Sequence, residues 1–148
     1  MSYMYKLLLI LFLSINAHAL TPFSLENLKS VNVKVFDKNE FLSKKQLDSL
    51  TNNVLQKLEN LGIKTESERF ANFLVKIDGK KTSANEAVLY VSLFIVESTE
   101  IERSKKTEAI GYGYHKADFF TSDDINTDII DSVDFLVAMF AQQYKQEN

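Results

Sequence analysis

The run Val88-Leu89-Tyr90-Val91-Ser92-Leu93-Phe94-Ile95-Val96 constrains this chain more than any other segment. Side chains along a β-strand point alternately to opposite faces. A half-buried strand therefore alternates apolar with polar residues, and this run is apolar on both faces. It reads as a strand over residues 87–97. Its first face needs a packed layer, and its second needs either a further layer or a partner.

The flanking segments supply the rest of a sheet. Val31-Asn32-Val33-Lys34-Val35-Phe36 alternates valines with polar residues, the pattern of a half-buried strand. Residues 70–78 form another, with Phe73, Val75 and Ile77 on one face, and residues 79–83 read as a turn. A hydrophilic reversal over 98–106 leads to a fourth strand over 107–116. There Ile110, Tyr112 and Tyr114 share one face, and Ala109, Gly111 and Gly113 the other.

Two helices complete the order. Ser43 and Gln46 form an S-x-x-Q capping box, and Leu42 and Leu47 sit at the positions of a hydrophobic staple. Leu47, Leu50, Val54, Leu58 and Leu61 then recur every three or four residues, and Gly62 is placed to close the helix in a left-handed conformation. The second helix is expected to open near Thr121 or Ser122, with Asp123 and Asp124 at its positive end. Its apolar face is Ile129, Val133, Leu136, Val137, Phe140 and Tyr144. The order β-α-β-β-β-α predicts an α+β fold, a two-layer sandwich of a mixed four-stranded sheet with both helices on one face. Gly111 and Gly113 would then let a helix approach the sheet closely.

The N-terminus reads as an export signal. Lys6 precedes the apolar run Leu7 to Leu13, and the segment ends on Ala17-His18-Ala19, an A-x-A cleavage pattern. The run is shorter than the roughly 20 residues that span a bilayer. Residues 1–19 are expected to be removed, leaving one domain over 20–148 with no transmembrane segment, in the periplasm or secreted. Removal takes one lysine, so the net charge moves from −3 to −4. An acidic domain without a basic block is a poor nucleic-acid binder. The chain has no cysteine, which rules out thiol catalysis, disulfides and thiolate metal sites.

Chemistry-bearing residues are few. His115 and Asp118 are close enough in sequence to suggest a proton-transfer pair, but a nucleophile, a metal or an oxyanion site is missing beside them. Gly111-Tyr112-Gly113 lies within a strand and opens no helix, so it is no nucleotide loop. Asp124, Asp128 and Asp131 share a helix face, where carboxylates diverge more than in a calcium loop. Ser43 is followed by lysines at the wrong spacing for a serine acylase and reads as a cap. The expectation is a non-enzymatic protein with no metal and no cofactor.

The order of elements from Val31 to Tyr144, with Val88–Val96 and Thr107–Tyr114 as a long central hairpin, resembles two kinds of bacterial envelope-assembly module. One is the lipopolysaccharide-assembly lipoprotein of the outer membrane. The other is the N-terminal domain of the Tol system's β-propeller protein. The resemblance implies a class of envelope proteins that act by binding other macromolecules. The lipidated cysteine of the first kind has no counterpart here, and the resemblance assigns no functional residue.

The aromatic residues supply the candidate site. Phe36, Leu74, Tyr90, Phe94 and Tyr112 are expected on the face of the sheet turned away from the helices, with Tyr114 at its edge. Exposed apolar clusters of several hundred Å2 mark interfaces. Tyr90, Phe94, Tyr112 and Tyr114 are the interface candidates for an envelope protein or lipid partner, and a homodimer is open. The alternatives are a carrier with an apolar pocket between sheet and helices, and a periplasmic hydrolase centred on His115. The export reading is checked by N-terminal sequencing of protein from the periplasmic fraction. It should begin at or within a few residues of Leu20, and recovery of Met1 in a membrane pellet would contradict it.

Overall fold

The computed structural model describes residues 25–100 and 108–148. The expected signal segment 1–19 and most of the expected reversal lie outside the described residues. Six elements follow one another: β1 (Asn32–Asp37), α1 (Lys44–Asn60), β2 (Ala71–Lys81), β3 (Ala87–Glu100), β4 (Glu108–Ser122) and α2 (Ile125–Glu147). The order is the expected β-α-β-β-β-α, and the fold is α+β.

The four strands form one sheet in the spatial order β1-β2-β3-β4. β1 runs parallel to β2, as the intervening helix requires, and the other pairs are antiparallel. Val33 pairs with Phe73, Val75 with Leu93, and Ile77 with Val91, so one apolar face crosses the sheet in register. Both helices lie on that face: α1 packs over β1, α2 over β3 and β4, and the two helices touch. Lys57 of α1 and Asp134 of α2 form an ion pair across that contact at 2.7 Å.

α1 is built as its sequence prescribes. The Ser43 hydroxyl accepts from the Gln46 N–H, and the Gln46 carbonyl oxygen accepts from the Ser43 N–H at 2.9 Å. Leu42 is buried beside this cap, its N–H donating to Asp37 at 2.7 Å. At the other end, Ile63 N–H bonds Leu58 and Gly62 N–H bonds Glu59, with Gly62 at φ 81°. That is the Schellman closure, and a side chain at Gly62 would be strained. Leu50, Val54 and Leu58 are buried between these ends.

α2 buries Ile129, Val133, Leu136, Val137 and Phe140, as expected, and Ser132 as well. Its start differs from expectation. Thr121 and Ser122 are the last residues of β4, and the helix opens after Asp124. β4 thus extends to Ser122 rather than ending at Lys116, because Phe119-Phe120-Thr121 suits a strand better than a loop. β2 likewise runs through the expected turn to Lys81. A Cβ at Gly79 would stand 2.4 Å from the carbonyl oxygen of Val88, so only glycine lets β2 and β3 pair there.

The segment 25–31 is tied to the C-terminal end of α2. Leu25 N–H donates to Glu147, Asn27 N–H to Asn148 at 2.8 Å, and the Tyr144 hydroxyl to the Leu28 carbonyl at 3.0 Å. Leu25, Leu28 and Val31 are buried in the same core as the helices. This segment therefore does not cross the other side of the sheet.

Leu58 is fully buried and Ser43 is exposed. In denaturant melts Leu58→Ala should cost about 2–5 kcal/mol through a lost transfer term and a cavity. Ser43→Ala should cost about 1 kcal/mol through the lost cap. Equal small shifts would contradict this assignment of the helix face.

Candidate functional site: the helix-free face of the sheet

The register aligns rows of side chains on the face opposite the helices. Lys34, Leu74, Phe94 and His115 form one row across all four strands. Phe36, Lys76, Ser92 and Ala117 form the next, and Asp78, Tyr90 and Phe119 the third. The two outer rows carry rings on β3 and β4, and the middle row narrows there to Ser92 and Ala117. Ser92 is fully buried beneath its neighbours. Beside the third row, Asp78, Gly79, Lys80, Val88, Tyr90 and Phe119 bound a shallow depression of about 260 Å3.

Three of the rings make contact with one another. Phe94 stacks on His115 with centroids 4.5 Å apart and planes 6° from parallel. Tyr112 tilts against the same Phe94 ring at 5.8 Å. Phe36, Tyr90, Tyr112 and Phe119 are exposed, Tyr112 at 57% and Phe119 at 70%. Polar groups sit toward the β1 corner. Lys38 and Lys76 both reach Asp78, at 3.2 and 3.3 Å, and the Lys38 ammonium foremost holds the Asp78 carboxyl below its ordinary range.

Three of the four interface candidates, Tyr90, Phe94 and Tyr112, therefore share the helix-free face, with Phe94 and Tyr112 in contact and Tyr90 two rows away beside Phe119. Tyr114 does not join them. It is 2% exposed, faces the helices, and packs edge-on to Phe140 at 5.4 Å. The reason is a β-bulge. Val96 pairs with Tyr112 and Ile95 with Tyr114, which leaves Gly113 as the extra residue. One unpaired residue reverses the alternation, so two tyrosines two positions apart face opposite ways. Gly113 serves that bulge and not a close helix approach. A Cβ there would meet the side chains of Glu97 at 3.1 Å and Ile95 at 3.6 Å, both on β3.

His115 and Asp118 stand three positions apart on the regular part of β4, and strand alternation turns them to opposite faces. His115 lies on the helix-free face opposite Phe94. Asp118 lies on the helix side opposite Val91, where its carboxylate accepts from the Ser132 hydroxyl at 2.8 Å. Asp128 and Asp131 border a depression on that side, while Asp124 precedes the helix. Among the described residues, no three acidic or histidine side chains converge as a metal set. The layer between sheet and helices is filled by Phe73, Tyr114, Phe140 and the aliphatic residues around them. Among the described residues, no helix is long and apolar enough to cross a membrane.

Phe119 belongs to the site and was missed by the sequence reading, because β4 was expected to stop before it. The β-prone Phe119-Phe120-Thr121 was the available signal. No family model and no curated protein matches the chain.

Burial pushes the Tyr114 phenol up to about 12, against an ordinary value of 10.0. Between roughly pH 10 and 12 the unfolded chain releases this proton while the folded chain keeps it. The folded state then binds more protons, so stability falls as pH rises through that window. The hydroxyl is buried without a protein partner, so Tyr114→Phe breaks no hydrogen bond. Urea melts at about pH 8 and about pH 11 should show the variant losing less stability than the parent. Equal losses would place the phenol in water.

Proposed function

We propose that this is a non-enzymatic binding or assembly protein of the bacterial periplasm that holds a partner protein on the helix-free face of its sheet. One observation carries the reading: Tyr112 beside Phe94, and Tyr90 paired with Phe119 two rows along, are exposed on one face with no helix. An antiparallel sheet with one solvated face ordinarily places polar residues there. Rings held on strands are large and stiff, and they lose little freedom on binding, which suits them as anchors. The Lys34, Lys38, Lys76 and Asp78 side chains supply the polar rim that protein interfaces have around an apolar centre. The net charge, −4 once residues 1–19 are removed, opposes adsorption to an anionic lipid surface, which favours a protein partner over a lipid one. The N-terminal apolar run and A-x-A pattern support a periplasmic location, and the resemblance in element order to envelope-assembly modules supports the same class.

Burying this face would stabilise a complex by about 25 cal/mol per Å2 of apolar area before association costs. The test is the double variant Tyr112→Ser/Phe119→Ser. Both residues are exposed, so its melting curve should match the parent's within about 0.5 kcal/mol. Capture of an envelope protein by the parent should be lost in the variant. Cosedimentation of the parent with vesicles of phosphatidylethanolamine and phosphatidylglycerol, lost in the variant, would replace the protein partner with a lipid one. A large loss of stability would place these rings in the core and end the proposal.

A further inference from the structure

Seven large hydrophobic side chains are exposed among the described residues, and they are unevenly placed. Ile110, Tyr112 and Phe119 lie on β4, and a fourth, Phe135, lies on α2. The helix-free face accounts for the first three and not for Phe135, which is 55% exposed on the opposite layer. Its position is fixed by its neighbours. Asp134 turns toward α1 through its ion pair with Lys57. Ser132 turns toward β4 through its bond to Asp118. Phe135 lines the same depression as Asp118 and Phe120, on the flank of α2 beside β4. Apolar side chains on both layers thus meet at the outer side of β4, which is the edge of the sheet.

An edge strand offers unpaired N–H and C=O groups, and proteins that keep such an edge free guard it with lysine, proline or a bulge. β4 has its bulge at Gly113. From Tyr114 to Ser122 its register runs without interruption, with one exposed lysine, Lys116, two residues before Asp118. That pair is self-complementary. We propose that β4 pairs antiparallel with β4 of a second copy about a two-fold axis at Ala117, joining two sheets into one of eight strands.

The register follows from the chemistry. Antiparallel partners must both point their backbone groups outward, so the axis passes through a residue position. An axis at Lys116 or Asp118 sets like charges opposite each other. An axis at His115 or Phe119 leaves Lys116 facing Tyr114 or Ser122. At Ala117, Lys116 faces Asp118 of the second copy, and the symmetry forms that pair twice. On the helix-free side the same axis sets His115 against Phe119 of the second copy. On the helix side it brings the two Phe135 rings toward each other across the seam. The pairing does not depend on the partner proposed for the helix-free face. It leaves that face open and doubles its extent.

The absence of cysteine gives a direct test. Opposed residues in an antiparallel pair lie about 4.5–5.5 Å apart at Cα, within disulfide reach. Protein recovered from expression of the full chain should sediment as a dimer at about 10–100 µM. Ala117→Cys should cross-link to a covalent dimer on mild oxidation, while Ser49→Cys on the exposed side of α1 should not. Adding Lys116→Asp, at an exposed position that leaves folding intact, sets like charges opposite twice. It should raise the dimer dissociation constant at least about tenfold and suppress the cross-link. Phe135→Ser should also weaken the dimer, whereas Tyr112→Ser should leave it unchanged even if it abolishes partner capture. A monomer across the whole concentration range would overturn the proposal. So would an Ala117→Cys chain that cross-links no faster than Ser49→Cys, or a dimer untouched by Lys116→Asp.

Discussion

Everything in this fold turns on β3, whose two faces are both apolar while the chain provides one layer of helices. Leu89, Val91, Leu93 and Ile95 fill the helix side and are fully buried. Their partners on β2, and the α1 and α2 stripes above them, complete a core that needs no disulfide. Tyr90 and Phe94 lie on the other side, where packing within the sheet shields them only in part. Covering one face satisfies the folding requirement. The second face is left as surface whose apolar area has no use within the described domain. That surplus separates this sheet from an ordinary half-solvated one, and the functional proposal grows from it.

The bulge at Gly113 decides how the surplus is distributed. Without it, Tyr112 and Tyr114 would share a face. With it, Tyr114 enters the core against Phe140, and Tyr112 stays outside against Phe94. His115 then falls on the helix-free face, where it stacks on Phe94, and Asp118 on the other, where Ser132 holds it. One extra residue thus completes the core under α2 and decides which rings stand on the outer face.

The elements easiest to read in the sequence were those whose signals are local. Ser43, Gln46, Gly62 and the leucine stripe specify α1 within one stretch of chain, and the helix forms as they dictate. The apolar face of α2 and the order of elements along the chain were legible for the same reason. The bulge was not, because it depends on pairing between β3 and β4, and a run such as Gly111-Tyr112-Gly113-Tyr114 reads as plain alternation in isolation. The end of β4 was hidden by Thr121 and Ser122, good caps in the abstract that the sheet uses as strand residues. Phe119 was lost from the candidate face with it. Phe135 lies outside the apolar stripe of α2, so only its position beside β4 gives it meaning.

The central claim is that the aromatic rings on the helix-free face stand open to solvent in the folded protein. NMR spectra of the aromatic protons, recorded with and without a water-soluble paramagnetic agent, measure that exposure ring by ring. Tyr90, Tyr112 and Phe119 should broaden strongly, while Phe73, Tyr114 and Phe140 should stay sharp. Protection of Tyr112 and Phe119 to the level of Phe140 would mean that another part of the chain covers the face, and would contradict the claim.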